Sequence, residues 1–129
     1  TGFSRWACNR VDIAAIKKKR KNHYACLYSG LKGLNGIESL LPENTEGVTP
    51  WLFLALVRSP VHMQGFLKTR GVNSIQFWSF YHKAFPFQRD SYAKFLKQHV
   101  IGLPVHQDLT TGEVARISEV IHEYCRRFD

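Results

Sequence analysis

Leu103-Pro104-Val105-His106-Gln107-Asp108-Leu109-Thr110 is the stretch on which the fold turns. It closes a brief extended piece, Val100 to Val105, in which Gly102 and Pro104 oppose a long strand or helix. It then opens a helix. Thr110 and Glu113 stand at capping-box spacing, where each side chain can satisfy the other's backbone N–H. Beyond them Val114, Ile117, Ile121, Tyr124 and Phe128 recur at three- and four-residue steps, with Val120 and Cys125 beside that face. An extended piece therefore feeds an amphipathic helix that needs an apolar surface to lie on.

Upstream, Ser91 to Gln98 suits a short helix, and Phe80 to Arg89 mixes aromatics with His82, Lys83 and Pro86 in the manner of a loop. Val72 to Trp78 reads as a strand. Ser59-Pro60 supplies an N-cap and a proline at the first helical position, with Val61, Phe66 and Leu67 expected inward and Gly71 closing the helix. Trp51 to Val57 is apolar throughout and suits a strand buried on both faces. The polar segment Asn35 to Pro50 is mostly connection, with room for a short strand around Gly36 to Leu40. From Val11 to Leu34 the positions Ile13, Ile16, Tyr24, Leu27, Tyr28, Leu31 and Leu34 carry helical periodicity, opened by Asn9 or Asp12 and ended among Gly30, Gly33 and Gly36. The alternation predicts an α/β fold: a small sheet of about three to four strands packed against helices as a two-layer sandwich. Its N-terminal and C-terminal helices are long, and residues 1–129 form a single domain.

Composition narrows the function classes. A chain of 129 residues can bury a core unaided, and 44% apolar with 22% charged residues excludes disordered and collagen-like sequence. The longest apolar run, Trp51 to Val57, is too short to cross a bilayer, and the first ten residues lack a signal peptide's apolar core. Cys8, Cys26 and Cys125 are scattered and odd in number, as for free thiols in a reducing cytoplasm, with Cys26 and Cys125 expected on apolar helix faces. The net charge of +8 includes the run Lys17-Lys18-Lys19-Arg20-Lys21. On a helix five successive residues spread at 100° steps and cannot form one stripe. No aromatics interleave with them, and no nucleic-acid motif accompanies them. The run reads as a solvated helix face.

Signatures of catalysis are absent: no GxGxxG, Walker loop, GxSxG or HExxH occurs. The six His are dispersed without metal-ligand spacing. One stretch stands out, Trp78-Ser79-Phe80-Tyr81-His82-Lys83, because it follows a predicted strand. Strand-end loops often carry function, and it offers stacking rings, donors and an imidazole. The plainer reading makes those rings the cover of a sheet edge.

In collinear order, five stretches resemble the C-terminal domain of pyridoxal-phosphate aminotransferases of the DegT/DnrJ/StrS sugar-aminating type. They are Asp12 to Ile16 with Lys19 to Asn22, Leu27 to Leu34 with Gly36-Ile37, Phe66 to Val72, Trp78 to His82, and Leu103 to Thr110 with its final helix. The resemblance runs from about Asp12 to Phe128. It implies a fold type I enzyme in which the cofactor lysine and the phosphate site belong to a preceding large domain, absent here. Pyridoxal phosphate is then the cofactor of the full-length enzyme, and this chain alone binds none and is inactive. It further implies a nucleotide-linked keto-sugar substrate of polysaccharide or deoxyamino-sugar synthesis and a homodimeric cytoplasmic enzyme, while the short apolar runs give no membrane partner and the basic run argues against nucleic acid. His82, with Trp78 and Tyr81, would face the sugar-nucleotide pocket, whereas His106 would brace the strand-to-helix crossing. Two other classes stay open: a basic module binding nucleic acid or another polyanion, and a protein-interaction domain.

Overall fold

The computed structural model describes residues 11–43, 47–77, 84 and 90–128. The first helix, α1 (Ile13–Leu31), begins where the Asp12 carboxylate accepts the Ala15 N–H at 2.9 Å. Its buried residues are His23, Tyr24, Leu27 and Leu31, one stripe at helical spacing. That stripe starts later than its periodicity suggests. Ile13 is 59% exposed, so the first turns extend past the core.

Strand β1 (Ile37–Ser39) follows, then β2 (Leu52–Val57) and α2 (Pro60–Thr69). The last of these ends in a Schellman motif: the Val72 N–H donates to the Leu67 carbonyl at 2.9 Å and the Gly71 N–H to that of Lys68 at 3.1 Å. The motif needs a left-handed residue, and Gly71 supplies it at φ 78°. Val61 is 63% exposed, contrary to the expected inward position. Proline at the helix start sets the phase so that Pro60, Met63 and Leu67 face the core instead.

The remaining elements are β3 (Ile75–Gln76), α3 (Ser91–His99), β4 (Val100–Pro104) and α4 (Thr111–Phe128). The four strands form one sheet in the order β1-β2-β4-β3, antiparallel throughout, with Leu52 opposite Pro104 and Leu54 and Ile75 on either side of Gly102. An α/β fold with a small sheet against helices is therefore present as expected. The extended piece that looked brief is a central strand. Pro104 is tolerated there because it ends the strand, beyond the reach of β3's two residues.

Along β2, Phe53, Ala55 and Val57 are buried, while the alternate Leu52, Leu54 and Leu56 are only half-buried. One face of the sheet is sealed by helices, and the other is more open than a strand buried on both sides. On the sealed face the Phe53 ring lies 5.0 Å from that of Tyr24. Helix α1 contacts β1 and β2, α2 contacts β3 and β4, and α4 lies against both helices. The α1–α4 crossing is tight: a Cβ at Gly30 would sit 2.6 Å from the Ser118 hydroxyl. His122 Nε2 donates there to the Gly30 carbonyl at 2.8 Å.

Tyr24 also ties down the chain leaving β1, its hydroxyl lying 3.2 Å from both the Leu41 and Pro42 carbonyls. Tyr24→Phe keeps the ring and removes that donor, so a loss of about 1 kcal/mol is expected in urea unfolding. A loss beyond about 3 kcal/mol would instead place the hydroxyl in a buried network. Of the thiols, Cys125 is buried as expected but Cys26 is exposed, because its position lies off the Tyr24–Leu27 stripe.

Candidate functional site

Trp78, Tyr81 and His82, the residues singled out from sequence, lie outside the described residues. The structure fixes what brackets them. On one side β3 pairs with β4, and the Phe77 ring meets Trp51 edge-on at 6.3 Å between centroids. On the other, Asp90 caps α3 by accepting the Tyr92 and Ala93 N–H groups, both at 3.0 Å. The segment between them is thus delivered from a paired strand and received by a capped helix.

The strand-to-helix crossing is braced from α1. Buried His23 donates through Nδ1 to the His106 carbonyl at 3.0 Å, and Arg20 Nε donates to Gln107 Oε1 at 2.8 Å. The His106 ring turns outward to Asp108 at 3.1 Å. His106 therefore serves the crossing, as its position implied. The capping box forms with the Thr110 N–H 2.7 Å from Glu113 Oε2 and the Glu113 N–H 3.2 Å from the Thr110 hydroxyl. The Thr110 N–H, and then its hydroxyl, hold the Glu113 carboxyl below the usual carboxylate range.

The basic run divides as helical geometry requires. Lys17, Lys18 and Lys19 are exposed, whereas Arg20 and Lys21 are half-buried. It presents no single cationic stripe.

A second cluster joins α2 to α4. Glu123 Oε1 accepts from Arg70 and Arg127, each at 2.8 Å, and the Arg70 guanidinium stands 4.7 Å over the Phe66 ring. His62 Nδ1 lies 2.9 Å from the Tyr124 hydroxyl, and its ring meets Phe128 edge-on at 4.7 Å. These contacts clamp two helices. The hydrogen bond from Arg70 holds the Glu123 carboxyl below its usual range, aided by charge attraction from Arg70, Arg127 and Arg126. A depressed carboxylate adds stability above its unfolded pKa of about 4.3, and that stability is lost as pH falls through the folded value. Glu123→Gln should therefore flatten the acid limb of stability against pH, read by urea unfolding between neutral pH and pH about 3. An unchanged acid limb would mean that the clamp carries no linkage.

The described residues also form a groove of about 810 Å³ where β1 begins, β2 ends and α3 meets β4. Tyr28, Lys32, Arg58, Phe95 and His99 line it over a floor that includes Leu31 and Leu56. Sequence reading missed this site, since its residues are distant in the chain and only the Phe95–His99 helical spacing is a local signal.

Among the described residues no three His, Cys, Asp or Glu side chains gather as a metal site would require. No described lysine is buried, and the lysine of the groove, Lys32, is exposed with its ammonium 4.0 Å from Glu43. A Schiff-base lysine needs a desolvated or cation-lined setting; exposed Lys32 lacks it, and the described lysine whose pKa burial lowers is half-buried Lys97, which does not line the groove.

Comparison with solved structures now bears on the fold. DesV from S. venezuelae, solved in complex with a ketimine intermediate, superposes at a TM-score of 0.72 and 20% identity, over 90% of this chain and 33% of that one. Helicobacter pylori PseC, an aminotransferase involved in pseudoaminic acid biosynthesis, matches at 0.74 and 16%, over 88% and 33%. A DegT/DnrJ/EryC1/StrS aminotransferase from Brucella abortus matches at 0.69 and 13%, over 84% and 31%. The fold is theirs. This chain spans about one third of each of those chains. No family model matches the sequence, and no curated protein matches it significantly. Among the described residues no helix is long and apolar enough to cross a membrane.

Proposed function

We propose that residues 1–129 are the C-terminal domain of a pyridoxal-phosphate-dependent aminotransferase acting on a nucleotide-linked keto-sugar, in polysaccharide or deoxyamino-sugar synthesis. The observation that carries this reading is a likeness that takes in almost all of this chain and one third of known sugar aminotransferases. The collinear motifs from Asp12 to Thr110 point the same way.

In the intact enzyme the cofactor supplies the electron sink for amino transfer, held by a large domain outside residues 1–129. The present residues have a different task. Trp78 and Tyr81 offer faces and donors for the sugar-nucleotide, and His82 offers a hydrogen bond at its edge. The β3–β4 pair and the Asp90 cap are the described elements on either side of these three residues. The whole enzyme is a cytoplasmic homodimer, and this domain alone is inactive.

Two measurements test the reading. The polypeptide extended upstream of Thr1 should bind pyridoxal phosphate through a lysine and retain the label after borohydride treatment. If no lysine there captures the cofactor, the aminotransferase reading fails. In that enzyme His82→Ala should raise KM for the sugar nucleotide about 3- to 10-fold, the worth of one hydrogen bond. An unchanged KM would remove His82 from the pocket.

A further inference from the structure

The groove beside the α1–β1 turn has a composition that a structural crevice does not need. Its floor is apolar, with Leu31, Leu56 and Val57. One wall carries a stacked pair, the Phe95 and His99 rings lying 4.4 Å apart and 23° from parallel, whose outer face can take a further ring. That surface is pre-organised, because His99 Nδ1 donates to the Phe95 carbonyl at 2.8 Å and fixes the ring. Tyr28 adds a third ring, with the Lys32 ammonium 5.8 Å from its centroid.

The polar groups are unequal in sign. Lys32 and Arg58 both line the groove, against the single carboxylate of Glu38. Arg58 is exposed and makes no hydrogen bond or ion pair among the described residues. The contact of Lys32 with Glu43 spans 4.0 Å between exposed groups, and such pairs contribute little. Both cations are therefore free to take an anion at small cost, within a chain whose net charge is already +8.

We propose that this groove binds a small aryl acid, a planar apolar body carrying a phosphate or carboxylate. The body lies against the Phe95–His99 surface over the leucine floor, and Arg58 and Lys32 hold the acid, with Arg58 able to engage two of its oxygens. Each half of the ligand is matched by a distinct set of residues. Neither a bare anion nor a neutral ring uses both.

The test is an NMR titration of the chain with 1-naphthyl phosphate, in parallel with 1-naphthol and with inorganic phosphate. The expected result is saturable shifts at Gly33, Gly36 and His99, with a Kd about tenfold or more below that of either half-ligand, a difference of about 1.4 kcal/mol. Arg58→Glu should weaken 1-naphthyl phosphate by about tenfold, whereas Arg116→Glu, on an exposed turn of α4, should change it by less than about twofold. Equal weakening by both variants would reduce the effect to overall charge and overturn the proposal. So would shifts centred on Lys17 to Lys19, no saturation, or inorganic phosphate binding as tightly as the aryl ester.

Discussion

Phe53→Ala should lower the unfolding free energy by about 3–5 kcal/mol, the range for removing a fully buried phenyl group. Phe53 is 1% exposed and sits on β2, which is flanked by β1 and β4. Its ring packs at 5.0 Å on Tyr24, so the substitution also strips an aromatic partner from α1. The cavity cannot close easily. Its surroundings are a strand held by ladder bonds on both edges and a helix tied to the 106–107 crossing by His23 and Arg20. In urea the midpoint should fall while the slope stays constant, because the same surface is exposed on unfolding. Trp51→Ala is the control. That ring is 63% exposed one residue before the strand, and its loss should stay within about 1 kcal/mol. If Phe53→Ala cost no more than Trp51→Ala, Phe53 would not be a core residue.

The contrast between these two rings shows what the sequence makes legible. Trp51 to Val57 is apolar without a break, so no periodicity says which residues face the helices. Only the pairing of Phe53 with Leu103 and the packing of Tyr24 decide it. Features written in local chemistry fare better. The Thr110–Glu113 box, the Asp12 cap and the Gly71 stop all form where the residue types put them, since each satisfies backbone groups within a few positions. Val61 fails for a related reason: the phase of α2 is set by Pro60 and by what lies beneath, not by Val61's own polarity. The groove was invisible because Lys32, Arg58 and His99 meet only after the sheet forms. The likeness to sugar aminotransferases, in contrast, was readable as a collinear order of short motifs, and the fold agrees with it. Substrate contacts are not so encoded, and His82, Tyr81 and Trp78 await the kinetic test.

Gly102 gives the second large effect, and it comes from a residue that appeared to argue against a strand. It occupies the middle of β4, opposite Leu54 on one side and Ile75 on the other. An added Cβ would stand 2.9 Å from Phe77 Cε2, 3.1 Å from Leu52 Cδ1 and 3.5 Å from the Ile75 carbonyl. The first two are ends of side chains and can yield, whereas the third is backbone and cannot. Gly102→Ala should therefore cost no more than about 1 kcal/mol, since a small shift of Phe77 and Leu52 is offset by the entropy that glycine loses on folding. Gly102→Val places two more carbons at the same point. They must displace the Phe77 ring from Trp51 or push β3 away from β4, and overpacking of this kind costs about 1–3 kcal/mol. Because β3 has only two residues, the strand pair is the weaker restraint and should open first. Amide exchange at Ile75 and Gln76 would then rise in Gly102→Val well before exchange at Phe53 or Ala55. If instead all four amides exchange at one common rate, β3 is no separate unit. In that case the strain at Gly102 is borne by the whole sheet.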